Sequence, residues 1–236
     1  MTTKEKLLAL LEDSKGTFFS GEEIARTLQV SRAAVWKAVN ALREDGYTID
    51  AATNKGYRLS PDSDILSPQG IRRFLKPEYR DLDLTVLPTA PSTNALVREK
   101  ANQGRPEGCV IVACEQTDGR GRYGRQFFSP VDSGVYLSLL LRPTAYSPQQ
   151  ATCLTAAAAA AMCQAIEAVT GQQPGIKWVN DIFLHGKKVC GILTEAAVGL
   201  ETGTLNYMVL GAGVNLYPPA EGFPEEIQSI AGSVLE

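Results

Sequence analysis

The sequence predicts an α+β protein of two parts, a small winged helix-turn-helix domain followed by a larger domain built on a mixed sheet. Three observations predict it. Helical apolar stripes fill residues 1–44 and give way to a hairpin pattern. Six β-branched or aromatic runs of strand length are spread over residues 82–216. Those runs are joined by turns as often as by helical stretches, which favours hairpins over the crossovers of a doubly wound parallel sheet. At a typical ~150 residues per domain, 236 residues also suit one small and one medium domain.

Taking the elements in order, Lys4–Leu11 carries an apolar stripe at helical spacing. Ser20-Gly-Glu-Glu23 reads as a capping box opening a second helix over residues 21–28, with Ile24, Ala25 and Leu28 inward. After the Gln29-Val30 turn, Ser31 caps a third helix that points Val35, Val39 and Leu42 at the core. Its opposite face offers Arg32, Lys37, Asn40 and Arg43, with no acid between Ser31 and Leu42, which suits a helix entering an anionic groove. Tyr47–Ile49 and Gly56–Leu59 then flank the turn tripeptide Asn54-Lys55-Gly56, a wing with Lys55 at its tip. Short turn, basic third helix and hairpin together point to a winged DNA-binding domain; a three-helix packing module with solvated charges is the alternative.

The first 60 residues carry a net charge of +1 and the remainder −4, which supports a division at the polar, proline-containing segment that follows Ser60. The expected domains are 1–60 and 67–236, with 61–66 as linker. In the second, strands are expected at Leu82–Leu87, Cys109–Cys114, Val135–Leu141, Ile176–Leu184, Lys188–Glu195 and Leu205–Leu216, with a turn at His185-Gly186. Ser147-Pro148 opens a long helix as cap and first-turn proline, Gly171 ends it, and Ala156–Ala161 lets it lie close to a sheet.

Composition excludes several classes. Lys and Arg number 23 against 26 Asp and Glu; a net charge of −3 argues against a cationic coat for non-specific nucleic-acid binding, while leaving room for a local basic patch. The longest apolar stretch, Cys153–Cys163, is about half of the ~20 residues a membrane span needs, so no crossing is expected. The N-terminus lacks the apolar core of a signal peptide, so the protein is expected in the cytoplasm. Five cysteines (Cys109, Cys114, Cys153, Cys163, Cys190), an odd number without a CxxC pair, read as reduced core residues.

The most informative stretch is Gly119-Arg-Gly-Arg-Tyr-Gly-Arg125, followed by Gln-Phe-Phe-Ser-Pro130. It satisfies GxGxxG, yet no amphipathic helix follows, so it is no dinucleotide fingerprint. Three arginines on a glycine-rich loop give planar cationic forks for a ligand bearing carboxylate and phosphate; a solvated loop is the alternative. Lys177, in the Lys177-Trp-Val-Asn180-Asp181 stretch, lies within an otherwise apolar strand and calls for an anionic partner unless it points to solvent. Ser92-Thr93-Asn94 supplies three small hydrogen-bonding side chains, and Gly211-Ala-Gly213-Val-Asn215 is a strand whose glycines let something approach the backbone. There is no Walker loop, no GxSxG, and a single histidine, His185, so neither a histidine-based triad nor a protein-held metal cluster is expected.

Taken in order, Ser92-Thr93-Asn94, Glu115-Gln116-Thr-Asp-Gly119-Arg-Gly-Arg122, Lys177 to Asp181, Lys188-Val-Cys-Gly191-Ile-Leu-Thr-Glu195 and Gly213-Val-Asn215 resemble the biotin-protein ligases. With the winged helix in front, the chain is similar to the bifunctional members that also repress biotin-synthesis genes. The resemblance implies a catalytic domain of the class II aminoacyl-tRNA synthetase kind and the substrates biotin and ATP, with Mg²⁺ helping. It implies, as partners, a biotin carboxyl carrier protein, operator DNA and a second copy of the chain in the presence of biotinyl-adenylate.

Residue by residue, the resemblance assigns Ser92, Thr93, Asn94 and Gln116 to biotin, and Arg120, Gly121 and Arg122 to the loop that closes over the adenylate. Lys177 falls to the carboxylate and α-phosphate, and Phe127, Asn180 and Asn215 to the adenylate side. Arg120, Arg122 and Lys177 are the expected catalytic cations, since a carboxylate attacking phosphorus needs charge stabilisation rather than a base. Phe127 stands where the family usually has tryptophan, and Val179 where it usually has proline. The resemblance also implies a small C-terminal β-barrel, which is expected to be absent from these 236 residues, with the 67–236 domain incomplete at its C-terminal end. A DNA-binding biotin sensor without effective ligase activity is the other function compatible with these residues.

Overall fold

The computed structural model describes residues 1–143, 151–199 and 204–235. They fall into two compact units, Met1–Asp81 and Leu82–Glu236.

In the first unit, α1 (Thr3–Asp13), α2 (Gly21–Leu28) and α3 (Arg32–Glu44) begin at Thr2, Ser20 and Ser31. The reciprocal capping box belongs to α1, where Glu5 N–H donates to Thr2 (3.2 Å) and Thr2 N–H to the Glu5 carboxylate (2.7 Å); Ser20 accepts from Glu23 N–H at 3.0 Å. Leu7, Leu11, Ile24, Val35, Val39, Leu42 and Leu59 make the core. The wing pairs β1 (Ile49–Ala52) with β2 (Gly56–Leu59) antiparallel. Its first strand starts later than expected because Tyr47 terminates α3 instead, donating its N–H to Leu42 while Gly46 turns left-handed at φ +93°.

This unit extends past the expected linker. Ser67 caps the short α4 (Pro68–Arg72), accepting Gly70 N–H at 2.9 Å, and its hydroxyl lies 3.4 Å from the Glu12 carboxylate on α1. Arg73 approaches the same carboxylate at 3.9 Å, and Ile65 packs on the core. Glu12 is only 5% exposed, so a buried charge that needs partners draws residues 65–73 onto the helices and moves the compact boundary from 60–66 to Asp81.

The second unit is a seven-stranded sheet in the order β3-β4-β5-β9-β8-β7-β6. The strands are β3 (Asp83–Leu87), β4 (Cys109–Ala113), β5 (Gly134–Leu141), β6 (Gly175–Lys177), β7 (Asp181–Leu184), β8 (Lys187–Val198) and β9 (Leu205–Asn215). Only β3 and β4 pair parallel, joined by the crossover helix α5 (Thr93–Asn102); the other pairings are antiparallel, as the α+β reading requires. The single strand expected at Ile176–Leu184 is two, β6 and β7, turning at 178–180, where the Trp178–Val179 peptide is cis. Asn180 holds that turn, its carbonyl accepting from Ile192 N–H at 2.8 Å.

Side-chain alternation divides the sheet faces. On one, Val97 and Ala101 of α5 meet Ile111, Leu140 and Val209. On the other, Ala159 and Ile166 of α6 (Ala151–Thr170) meet Ile182, Ile192, Ala212 and Val214. The expected helix opening at Ser147-Pro148 lies outside the described residues; its end is at Gly171, φ +70°. The stretch Thr152–Thr170 is long and apolar enough, by length and composition, to cross a membrane, a run that a count ended at Cys163 misses. A short helix, α7 (Glu225–Gln228), follows β9. None of the five cysteines is paired; Cys109 and Cys190 are core residues as expected, whereas Cys153 is exposed on α6 because it faces away from the sheet.

Candidate active site

On the α5 face of the sheet, a narrow open cleft adjoins a wider one. Ser92, which read only as a polar side chain in the sequence, is the cap of α5, accepting from Ala95 N–H at 3.4 Å. Thr93, the first residue of the helix, donates its N–H and hydroxyl to Gln116 Oε1 at 2.9 and 3.1 Å. Gln116 Nε2 donates to Ser129 (3.2 Å), which ties the start of the arginine loop to its end. Beneath them, the fully buried Ser138 on β5 lies 2.8 Å from Thr93 Oγ1 and 2.6 Å from Asn94 Oδ1, one hydroxyl shared between two acceptors. Asn94 Nδ2 donates to Glu195 (2.7 Å) and to the Leu193 carbonyl (3.3 Å), and Arg98 secures Glu195 at 3.1 Å. Thr93 and Gln116 thus form a pre-set polar corner, while the Asn94 amide is occupied in holding it together.

The floor is backbone. Gly191 on β8 and Gly213 on β9 are register partners, as are Leu193 and Gly211. A Cβ on Gly213 would stand 2.6 Å from the Phe127 ring and one on Gly191 2.9 Å from it, and one on Gly211 would overlap the Asn94 amide. The side chains that approach these glycines are therefore Asn94, Phe127 and, at Gly191, Lys188. Phe127 borders both cavities and stacks edge-on to Tyr136, centroids 6.3 Å apart. Burial pushes the Tyr136 phenol above its ordinary range.

Residues 116–129 fold back on themselves through Gln116 N–H to Ser129, Phe127 N–H to Gly119 and Gly121 N–H to Arg125 (2.7 Å). After Gly124 the chain runs extended, consistent with rejecting the dinucleotide motif. Arg120 pairs with Asp118 at 2.8 Å, and that hydrogen bond holds its guanidinium above the usual arginine range. Arg122 donates to Asn180 Oδ1 (2.8 Å), Asn180 Nδ2 donates to Asp181 (2.8 Å), and Asp181 pairs with Lys188 (2.7 Å).

Lys188 is the residue sequence reasoning missed. It borders both cavities, with Nζ 3.3 Å from the position a Gly191 Cβ would take. Its signal was present as a lysine opening the apolar run Val189–Leu193 three residues before a glycine. Lys177, by contrast, lies exposed on the edge strand β6, its Nζ 5.4 Å from the Phe183 ring, and borders only the wider cavity. All three residues of β6 are exposed, so the Lys177 ammonium is solvated and the need for an anionic partner does not arise there.

The wider cavity also takes in Asn180 and Asn215, with an apolar wall of Phe128, Phe223, Ile227 and Ile230. Asn215 Nδ2 donates to the Gly232 carbonyl at 3.0 Å, and Lys188 exchanges backbone bonds with Ile230 and Gly232, so the segment after α7 is laced along this side. Among the described residues no group of three or more His, Cys, Asp and Glu side chains is arranged to hold a metal ion.

In the N-terminal unit, Arg32, Lys37 and Lys55 are exposed and Asn40 is half-buried. Arg43 donates from Nε (3.1 Å) and Nη2 (2.6 Å) to the Ile49 carbonyl, bracing the wing against α3.

The model of the biotin/lipoate A/B protein ligase family matches residues 86–215, and that of a helix-turn-helix domain matches residues 3–58. The bifunctional ligase/repressor BirA of Bacillus spizizenii is 40% identical over 235 residues, covering 100% of this chain and 71% of that protein. BirA of Escherichia coli strain K12 is 33% identical over 215 residues, covering 91% and 64%. Among solved structures, the biotin protein ligase from Aquifex aeolicus in complex with biotin and ATP superposes with a TM-score of 0.53 at 29% identity, covering 64% of this chain and 59% of that one. With both models matched in the same order as the two compact units, the chain belongs to the biotin/lipoate A/B protein ligase family and carries a helix-turn-helix domain ahead of its ligase domain.

Proposed function

We propose that the chain activates biotin with ATP, passes it to a lysine of a biotin carboxyl carrier protein, and binds operator DNA through its N-terminal unit as a biotin-responsive repressor. The observation that carries the ligase reading is the polarity of the site. A corner of neutral hydrogen-bonding groups (Ser92, Thr93, Gln116) is joined across a glycine floor to a cluster of cations (Arg120, Arg122, Lys188). A ligand with a ureido ring at one end and a carboxylate at the other matches that order.

In this reading biotin's carboxylate attacks the α-phosphorus of ATP, the bond to the leaving pyrophosphate breaks, and biotinyl-5'-adenylate forms. Lys188, Arg120 and Arg122 stabilise the charge that develops on the phosphoryl oxygens, and Gly121 lets the loop carrying the two arginines lie close to the ligand. Lys177, at the rim, meets the outgoing phosphates. Phe127, Asn180 and Asn215 flank the adenylate in the wider cavity. The amine of the carrier lysine then attacks the biotinyl carbonyl, the bond to AMP breaks, and the amine proton is lost to solvent. Mg²⁺ suits this site as an ion carried by the nucleotide's own phosphates, since the described residues offer it no cage. Ordering of residues 116–129 around the adenylate would lower the entropy cost of an adjacent interface, which supports a ligand-promoted homodimer.

The test is incubation with radiolabelled biotin, ATP and a carrier domain. Label on the carrier lysine is expected. Adenylate without transfer would leave the chain a DNA-binding biotin sensor, and absence of both would overturn the reading.

A further inference from the structure

On α3 the core takes Val35, Ala38, Val39 and Leu42. At 100° per residue these fill one arc of the helix, and the opposite arc runs from Arg32, Arg43 and Trp36 through Asn40 and Ala33 to Glu44, in the last turn, and Lys37. Trp36 is 58% exposed. On its wing side it looks onto a groove whose far bank is Ala52, Thr53, Asn54 and Tyr57. A lone apolar side chain on a surface is ordinary. This one is set apart by its company, for cations stand on either side and no acid occurs from Ser31 to Leu42.

We propose that Trp36 reads sequence, its indole packing against the 5-methyl group of a thymine in the major groove while Arg32 and Lys37 hold the phosphates on either side. The proposal rests on the DNA-binding reading of the N-terminal unit and adds to it which side chain discriminates and which feature of a base it detects. Cations hold phosphates whatever the sequence, so they orient the helix without selecting a site. The thymine methyl is the one apolar group displayed in the major groove, and a large exposed apolar side chain on the wing side of the outward arc is its physical complement. Charge complementarity of the flanking cations with the duplex brings the indole to that groove.

The probe is a duplex enriched by the whole 236-residue chain, with biotin and ATP, from a random-sequence pool. Thymines are replaced one at a time by deoxyuridine, which removes the methyl and nothing else. The wild type is expected to lose about fourfold in affinity at one or more positions, the value of one buried methyl. Trp36→Ala should bind with no preference between thymine and uracil there, Trp36→Phe should keep the preference, and neither should change the slope of affinity against salt. A wild type indifferent to every replacement, or a Trp36→Ala variant with the wild-type ratio, overturns the proposal. Failure to enrich any duplex would appear before a thymine is replaced; it would defeat the DNA-binding reading itself and this inference with it.

Discussion

Lys188 and Lys177 make opposite claims on the same chemistry, and replacing each in turn separates them. Lys188→Met removes the ammonium and keeps most of the stem. In the structure that ammonium is 2.7 Å from Asp181, with the two side chains 29% and 24% exposed. Its loss leaves Asp181 still hydrogen-bonded by Asn180 at 2.8 Å. Stability should therefore fall by only about 1 kcal/mol, the scale of a partly solvated pair. The rate should fall much further. A cation aimed at charge that develops only in the transition state is worth about 3 to 4 kcal/mol, roughly 100-fold to 1,000-fold in adenylate formation. Lys177→Ala removes an exposed amine resting on Phe183 and should cost about tenfold or less. Biotin-dependent pyrophosphate release at saturating ATP, with thermal unfolding of each variant alongside, measures both. Near wild-type turnover in Lys188→Met together with a crippled Lys177→Ala would refute the reasoning and return the catalytic role to Lys177.

Further tests address other parts of the molecule. Gly213→Ala puts a methyl 2.6 Å from the Phe127 ring, so calorimetry should show weakened biotin binding, whereas Gly175→Ala meets nothing within 4 Å and should bind as wild type. Arg32→Ala and Lys37→Ala should each lower the slope of log affinity against log salt for DNA by about 0.9 per lost phosphate contact, with ligase activity unchanged. Burial pushes the Cys190 thiol up to about 12 from an ordinary 9.0, so the fold favours its neutral form. The stability from that preference is intact below the ordinary value and drains away as pH climbs from 9 through 12, at about 1.4 kcal/mol per pH unit. Unfolding curves of the wild type and Cys190→Ala should accordingly converge across that window. At pH 8, N-ethylmaleimide should label the exposed Cys153 quickly and leave Cys109 and Cys190 until the protein unfolds.

What the sequence made legible was what neighbouring residues decide. Ser31 and the apolar positions of α3 announce that helix, and the runs at Cys109–Ala113 and Leu205–Asn215 announce central strands. Gly211 and Gly213 signalled a close approach correctly, but not by what, because their facing groups come from α5 and from the loop after β4. Helix α5 is harder to read although Ser92 caps it and Val97 and Ala101 recur along it, because its first turn is the polar triplet Ser92-Thr93-Asn94 that also suits ligand binding. Ser138 reads as one polar residue in an apolar run until Thr93 and Asn94 are laid over it. The choice between two lysines depended on strand order, which leaves β6 at the sheet edge and β8 inside, and the extent of the first unit depended on a buried Glu12 whose partners lie some 55 residues on.

The cations of the site meet a ligand already provided for. Asp118 sits with Arg120, Asp181 with Lys188, and Asn180 joins Arg122 to that second pair. Before any substrate arrives, Arg120 and Lys188 are each matched by an acid while Arg122 rests on the neutral Asn180 amide, so most of the cluster's charge is already answered. An incoming carboxylate or phosphate enters by substitution, taking a lysine or arginine from an acid that must turn to water or to Asn180 in its place. A ligand also anchored at Thr93 and Gln116 brings to that swap further contacts that chloride or free phosphate lacks. Selectivity for the whole molecule over its charged end is thus written into the resting partnerships of the loop and the strand.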